Sequence, residues 1–98
     1  MNETFLQVHH AADRQRFEVS AEGEIAYLSY SMRGDHVSLD HTSVPESWRG
    51  QGVGAKLAHA ALEEAKSRGW KVEIRCSYVA GYVKRHPEFA TLNARSTA

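Results

Sequence analysis

The chain has 98 residues, enough for one domain with a single modest core. Its hydrophobic fraction of 42% and charged fraction of 24% are typical of an ordinary globular protein. Twelve basic residues balance twelve acidic ones, which excludes a general attraction to nucleic acid or to an anionic membrane surface. Any anionic ligand must therefore be held by a local arrangement of residues.

The number of cysteines and the N-terminal segment indicate the cellular compartment of the protein. Cys76 is the single cysteine, which excludes an internal disulfide framework and a site built from several thiolates. Residues 1–6 lack the basic start and the apolar run of a signal peptide, and no stretch is apolar enough to span a bilayer. We therefore expect a cytoplasmic protein with neither a membrane nor a nucleic acid as partner.

The first half of the chain predicts strands. Polar and apolar residues alternate over 16–21, 24–32 and 36–44, and short polar turns separate these segments. Short connections favour an antiparallel meander, with residues 5–9 as a further strand at its edge. In the third strand, strict alternation places Val37, Leu39 and His41 on one face of the sheet.

The second half predicts a β-α-β unit. Apolar residues recur at helical spacing from Val53 to Arg68, with Gly69 as a C-terminal cap. Residues 70–76 alternate again, and a second helix is expected over 78–85 because Pro87 disfavours its continuation. The predicted fold is α/β (α+β): a mixed sheet with an antiparallel N-terminal meander, then a parallel β-α-β unit and a C-terminal helix. Residues 1–92 should form the domain, and 93–98 a frayed tail.

A glycine-rich loop opens the first predicted helix. The segment Arg49-Gly50-Gln51-Gly52-Val53-Gly54 has three glycines in five positions, which lets the backbone approach a ligand closely. The free N–H groups and the positive dipole end of the helix favour an anion such as a pyrophosphate, and Arg49 can add a charge-assisted contact. The alternative is a structural turn that binds nothing. No P-loop pattern is present, and the acidic residue that a nicotinamide site needs is misplaced at Glu73, inside a strand.

These residues carry a family resemblance. Residues 49–54 are similar to the Gln/Arg-x-x-Gly-x-Gly/Ala signature of the GNAT acetyltransferases. His-Thr-Ser-Val-Pro at 41–45, Cys-Ser-Tyr-Val at 76–79 and Arg-His-Pro-Glu-Phe at 85–89 resemble the short, single-domain GNAT-like proteins of the NATD1 type. The resemblance implies an N-acetyltransferase that uses acetyl-coenzyme A. It implies cofactor contacts at Thr42 and Val44, which would pair with the pantetheine arm, and at the loop residues Arg49, Gly50, Gln51, Gly52, Val53, Gly54 and Ala55.

Three residues are candidates for the chemistry. His41 is a candidate general base, because histidine titrates near neutral pH and ends the strand next to the proposed thioester. Cys76 directly precedes a predicted helix, whose dipole favours a thiolate that could accept the acetyl group or donate a proton. Tyr82 is a candidate general acid, although the family's register counts back from Phe89 to Lys84 instead. Each has a structural alternative: a hydrogen-bonded histidine, a small core residue and a packed ring.

The acceptor is not readable from the sequence. The distance from Phe5 to Arg16 leaves no room for the helices that shape the acceptor pocket in most of the superfamily. The acceptor side should be open, completed by a partner subunit, or specialised for a peptide or protein amine. Arg85 and His86 could contact the cofactor's phosphate or the acceptor, or be ordinary surface residues.

We expect no metal site, because His9 and His10 point to opposite faces of a strand. An acyl-coenzyme A binding or sensing module and a small protein-interaction domain are the competing functions.

Overall fold

The computed structural model describes residues 7–92 as one five-stranded sheet with two helices. The strands lie in chain order across the sheet. The first four are antiparallel, and the last pair is parallel. They are β1 (His9–Ala11), β2 (Arg16–Ala21), β3 (Glu24–Arg33), β4 (His36–Ser43) and β5 (Lys71–Ile74).

Both helices pack on one face of the sheet, and the core lies between them and the strands. They are α1 (Val53–Arg68), which connects β4 to its parallel neighbour β5, and α2 (Ser77–Arg85). Helix α1 buries the apolar stripe that the sequence predicts, and Gly69 closes it in the left-handed conformation. Short 3-10 turns cover Ala12–Arg14, Glu46–Trp48 and Pro87–Leu92. Within residues 7–92, neither helix combines the length and the apolar character needed to cross a bilayer.

The predicted fold class is confirmed, but several predicted boundaries differ from the structure. The strand predicted over 36–44 ends at Ser43, and the helix predicted over 78–85 begins at Ser77. The expected strand over 70–76 is shorter, because pairing with β4 stops at Ile74 and the chain turns into α2. Cys76 therefore caps α2 instead of ending a strand. The expected edge strand over 5–9 is wrong for Gln7 and Val8, since β1 begins at His9. Residues 5 and 6 and the predicted tail at 93–98 lie outside the described residues.

A β-bulge in β4 overturns the predicted placement of His41. Leu39 lies opposite Tyr30, but the next pair joins Ser29 to His41, so Asp40 is an extra residue in β4. The extra residue resets the alternation of faces. His41 therefore points away from the helices and is exposed, while Val37 and Leu39 are buried beneath them.

The outer face of the sheet carries a buried carboxylate, Glu18. Its side chain is 4% exposed and accepts hydrogen bonds from Arg14 at 2.7 Å and from Arg16 at 2.9 Å. The hydrogen bonds from Arg14 contribute most to lowering the pKa of Glu18 from 4.5 to about 2, and those from Arg16 add to the effect. The charged form of Glu18 is thus favoured by folding.

Because the pKa of Glu18 is lower in the folded chain, its stabilisation is present above pH 4.5 and is lost as the pH falls towards 2. The shift corresponds to at most about 3 kcal/mol. We expect Glu18→Gln to unfold at lower urea concentration at pH 7 and to lose most of the pH dependence between 4.5 and 2. Urea titrations at several pH values measure this, with the exposed Glu22→Gln as control. Parallel pH profiles for Glu18→Gln and the wild type would contradict the assignment.

Candidate functional site

The glycine loop forms the N-terminus of α1, as expected for an anion site. Gly50 and Gly52 have φ angles of 82° and 77°, a left-handed conformation that other residues adopt only with strain. In the first hydrogen bond of α1, the N–H group of Lys56 donates to the C=O of Gly52 at 3.1 Å. The N–H groups of residues 53–55 precede that bond and have no acceptor within the helix. The loop thus presents backbone donors at the positive end of the helix dipole.

Gly54 has a different role from the other two glycines. Its φ is not positive, but a Cβ atom there would lie 2.9 Å from Cζ of Tyr78 and 3.0 Å from its hydroxyl oxygen. The Tyr78 ring, in the first turn of α2, therefore rests directly on the helix start. A glycine is needed at position 54 so that this ring can approach.

A substitution at Gly54 tests this contact. In Gly54→Ala we expect the half-exposed Tyr78 ring to swing aside, so that its displacement offsets the entropic gain of about 0.4–1 kcal/mol from replacing glycine. In a Tyr78→Ala background the same change should stabilise the protein by that full amount. Urea denaturation of the four variants measures the difference. Equal effects of Gly54→Ala in both backgrounds would show that the ring does not contact this position.

Beyond the bulge, one edge of β4 faces no strand among residues 7–92. The last residue pair between β4 and β5 is Leu39 with Ile74, whereas β4 continues to Ser43. The C=O of Leu39 accepts the N–H groups of Arg75 and Cys76 at 2.9 and 3.1 Å, which closes the paired region. The two parallel strands separate from this point.

Thr42 presents its backbone to this gap. The N–H group of Tyr30 in β3 donates a hydrogen bond to the C=O of Gln15, so the backbone groups of Tyr30 point towards β2. The backbone groups of the preceding residue, Ser29, therefore point towards β4, where Ser29 lies opposite His41. Because these groups alternate along a strand, those of Thr42 point away from β3. They face the side on which β5 has ended, where an extended ligand can pair with them.

The side chain of Thr42 connects this edge to Cys76. Thr42 lies opposite the buried Leu28, on the helix side of the sheet, and its hydroxyl oxygen is 3.3 Å from the Cys76 sulfur. Cys76 is 9% exposed and is the N-cap residue of α2. The structure thus places a thiol, a hydroxyl and an open strand edge together.

One cleft of about 500 Å³ unites most of the predicted cofactor residues. Gln51 and Ala55 do not line it, and the side-chain oxygen of Gln51 is buried without a hydrogen-bond partner among the described residues. Trp48 and Tyr78 line the cleft and were missed by the sequence analysis. The predicted residues that line it are Thr42, Val44, Arg49, Gly50, Gly52, Val53 and Gly54.

Tyr82 lies outside this cleft. Tyr82 is 5% exposed, and its ring stacks on that of His86 with the ring centroids 4.2 Å apart. Its hydroxyl forms a hydrogen bond of 3.2 Å with Nδ1 of His59. Burial is the main cause of a raised Tyr82 pKa, so the phenol keeps its proton. The tyrosine that borders the cleft is Tyr78, one helical turn earlier on α2.

His41 is likewise separated from the cleft residues. Its ring lies 6.1 Å from that of Tyr27 on the outer face of the sheet, and its C=O accepts a hydrogen bond from the Ser29 hydroxyl. Thr42 and Cys76 lie on the helix side. The role of His41 as a base stays a prediction. Among residues 7–92, no three His, Cys, Asp or Glu side chains converge to hold a metal ion.

Known proteins resemble this chain in sequence and in fold. The family model described as GCN5-related N-acetyl-transferase matches residues 16–92. Protein NATD1 of Gallus gallus is 38% identical over 85 residues, which are 84% of this chain and 77% of the relative. Protein NATD1 of Homo sapiens is 36% identical over the same length, covering 84% of this chain and 75% of the relative. The solution structure of a GCN5-like protein from Staphylococcus aureus superposes with a TM-score of 0.71 over 91% of this chain and 88% of that one. At 23% identity, this likeness concerns the fold alone.

Proposed function

Since this chain belongs to the GCN5-related N-acetyltransferase family, we propose that it transfers acetyl from acetyl-coenzyme A to an amine, with Cys76 as the residue that receives the acetyl group. The observation that carries the proposal is the cleft itself. It joins the free amides at the start of α1 to the open edge of β4, and the hydroxyl of Thr42 on that edge lies 3.3 Å from the Cys76 sulfur.

Each part of the donor has a matching part of the cleft. The pyrophosphate fits the N–H groups of residues 53–55 and the guanidinium of Arg49, because both supply charge-assisted donors. The pantetheine amides fit the edge presented by Thr42 and Val44. Tyr78 covers the start of α1, so its ring restricts water and its hydroxyl can donate to the ligand. Gln51 and Ala55 contribute their backbone to the same loop.

The chemistry at Cys76 is a double displacement. Its thiolate attacks the thioester carbonyl, the new carbon–sulfur bond forms, and the bond to coenzyme A breaks. Coenzyme A leaves as a thiolate and takes up the proton that Cys76 released. An amine then attacks the acetyl-cysteine, forms the amide and restores the Cys76 thiolate, and the nitrogen loses a proton. The Thr42 hydroxyl, 3.3 Å from the sulfur, can donate a hydrogen bond that stabilises the thiolate in both steps.

A second candidate function is an acyl-coenzyme A binding or sensing module. It is favoured by the placement of His41 and Tyr82 outside the cleft. It is favoured also by the connection from β1 to β2, a single 3-10 turn that supplies no acceptor wall. The acceptor of a transferase built in this way must be a peptide or protein amine that brings its own complementary surface, or an amine held by a partner subunit.

Release of free coenzyme A thiol distinguishes the two candidates. The wild-type protein is incubated with acetyl-coenzyme A and a panel of small amines, lysine-containing peptides and protein N-termini. A transferase releases thiol catalytically with at least one acceptor, and the acetylated acceptor appears in equal amount. Saturable binding with at most one thiol released per protein chain across the panel would favour the sensing module.

A further inference from the structure

A groove of about 810 Å³ lies on the outer face of the sheet, away from the two helices. We call it the outer groove. The residues that alternate with its lining in β4, Val37 and Leu39, are buried beneath the helices, so the groove opens on the opposite side. Its polar lining comes from Ser31 and Arg33 of β3, Ser38 and Asp40 of β4, and Glu73 and Arg75 at the β5 side.

Asp40 presents an ordered carboxylate in the outer groove. One of its oxygens accepts a hydrogen bond from the Ser31 hydroxyl and the other from the Ser38 hydroxyl, each at 2.5 Å. A carboxylate has about four acceptor sites, so these two bonds fix its orientation and leave capacity for a further donor. Asp40 is the extra residue of the β-bulge, a feature that often re-aims a side chain beside a functional site. This half-buried anion can therefore bind an ammonium or guanidinium group.

Two charges in the outer groove have no ion-pair partner among residues 7–92. They are the negative charge of Asp40 and the positive charge of Arg33. The other side chains of the groove that are charged at pH 7 are paired, Lys71 with Asp35 at 3.5 Å and Arg75 with Glu73 at 3.3 Å. A ligand of complementary charge therefore has a cation for Asp40 and an anion for Arg33.

The spacing of these two charges fits an extended peptide. Arg33 lies two residues beyond Ser31 on the same face of β3, and Ser31 holds the Asp40 carboxylate. At about 3.3 Å per residue, two positions along a strand span about 7 Å. Alternate side chains of an extended chain have the same separation. A peptide with a basic residue and, two positions away, an acidic residue can thus satisfy both charges.

The outer groove ends where β4 and β5 separate. Arg75 lines the groove, and its N–H group donates to the C=O of Leu39 at the close of the paired region. The next residue is Cys76, and the hydroxyl of Thr42, two residues beyond Asp40, lies 3.3 Å from its sulfur. Lysine has a flexible four-carbon stem, so a lysine of a peptide in the groove can enter the gap between the strands.

We infer that the outer groove recognises the acceptor, and that the acceptor is a peptide segment with a defined charge pattern. Its reactive lysine enters the gap, a basic residue two positions away pairs with Asp40, and an acidic residue two positions further pairs with Arg33. The inference rests on the proposed function. It provides a binding surface for the acceptor in a chain whose β1–β2 connection supplies no acceptor wall.

Peptides of equal composition and different charge order test the inference. The matched peptides, with blocked termini, are Lys-Ala-Arg-Ala-Glu and its reverse, which places the same pattern in the opposite chain direction. The swapped peptides are Lys-Ala-Glu-Ala-Arg and its reverse. From thiol release we expect kcat/KM to be about tenfold higher for one matched peptide than for either swapped one. Each exposed ion pair contributes up to about fivefold, and the swapped order places like charges together.

Three variants assign the preference to the outer groove. Asp40→Asn keeps the size of the side chain and should reduce the preference to about threefold or less. Arg33→Glu should favour Lys-Ala-Arg-Ala-Arg, in the preferred chain direction, over the matched peptide. Because Arg33 is exposed, this variant keeps the test valid if Asp40→Asn does not fold. The control Glu22→Gln, outside the groove, should keep the wild-type preference.

The outcomes separate this inference from the function on which it rests. Thiol release that is equal for matched and swapped peptides, or unchanged in Arg33→Glu, would show that the groove does not recognise the acceptor, while the proposed function stands. If no peptide releases thiol, fluorescence anisotropy measures peptide binding. Preferential binding of a matched peptide would then keep the groove as a peptide site and overturn acetyl transfer to it, and equal or absent binding would overturn both. A dimer that Arg33→Glu dissociates in sedimentation would assign the groove to a second copy of the chain instead.

Discussion

The substitution Gly52→Asp is expected to weaken acetyl-coenzyme A binding by about 100-fold or more. Gly52 caps α1, and its backbone adjoins the N–H groups proposed to hold the pyrophosphate. Two like charges about 4 Å apart repel by about 4 kcal/mol at an effective dielectric constant of 20, and each 1.4 kcal/mol is about tenfold in affinity. Isothermal titration of the variant against the wild type measures the loss.

Two control variants separate the effect of the added charge in Gly52→Asp from the effect of backbone strain. Gly52→Asn has nearly the same size and tolerance for the left-handed conformation without the charge, so we expect it to lose less than about tenfold in affinity. Gly34→Asp introduces the same residue at a positive-φ glycine in the β3–β4 turn, far along the chain from the loop. It should be destabilised by about 1–2 kcal/mol and bind normally. Equal affinity of Gly52→Asp and Gly52→Asn for acetyl-coenzyme A would show that the pyrophosphate does not bind at this loop.

The substitution Cys76→Ser is expected to abolish acetyl transfer, with a loss of at least about 100-fold in thiol release. The hydroxyl of serine is far less ionised than a thiol, and the side-chain partner of Cys76 among the described residues is the Thr42 hydroxyl, which is not a base. Binding of acetyl-coenzyme A should stay within about threefold of the wild type, because the contacts proposed to hold the donor come from Thr42, Val44 and the glycine loop and not from the Cys76 sulfur. Comparing thiol release with calorimetric affinity separates the two effects.

The acetylated form of Cys76 can be observed directly. Wild-type protein mixed with acetyl-coenzyme A should gain one acetyl group by intact mass, and hydroxylamine should remove it, as it does for a thioester. Since Cys76 is the single cysteine, Cys76→Ser should gain no hydroxylamine-sensitive acetyl group. An active Cys76→Ser protein would show instead that the amine attacks acetyl-coenzyme A directly, without a covalent intermediate on the protein.

Much of the fold could be predicted from residue periodicity. The change from period two to helical spacing at Val53 marks the join between the meander and the β-α-β unit, and the structure has α1 over the predicted residues. The glycine loop could be proposed as an anion site from the sequence because the chemistry of such a site is local: backbone donors and a helix end require no distant partner.

The arrangement of His41, Thr42 and Cys76 could not be predicted, because it depends on long-range packing. The alternation through Leu39, Asp40 and His41 looks regular, and only pairing with β3 reveals that Asp40 is an extra residue. That bulge moves His41 to the outer face and brings Thr42 to Cys76.

The choice of tyrosine has a similar cause. Tyr78 and Tyr82 are one turn apart on α2, so helical spacing places both on the same side. Only the position of α2 along α1 determines that Tyr78 rests on Gly54 while Tyr82 reaches His59. The sequence does contain a signal for this contact, because a glycine inside a helix, such as Gly54, often marks the close approach of another group.

Backbone amide NMR during an acetyl-coenzyme A titration tests the central claim most directly. The claim is that this cleft binds the donor along the start of α1 and the open edge of β4. The predicted result is saturable shift changes that are largest at the amides of Gly52, Val53, Gly54 and Thr42, and small across the β1–β2 end of the sheet. Saturable changes centred elsewhere, or no changes at millimolar ligand, would contradict it.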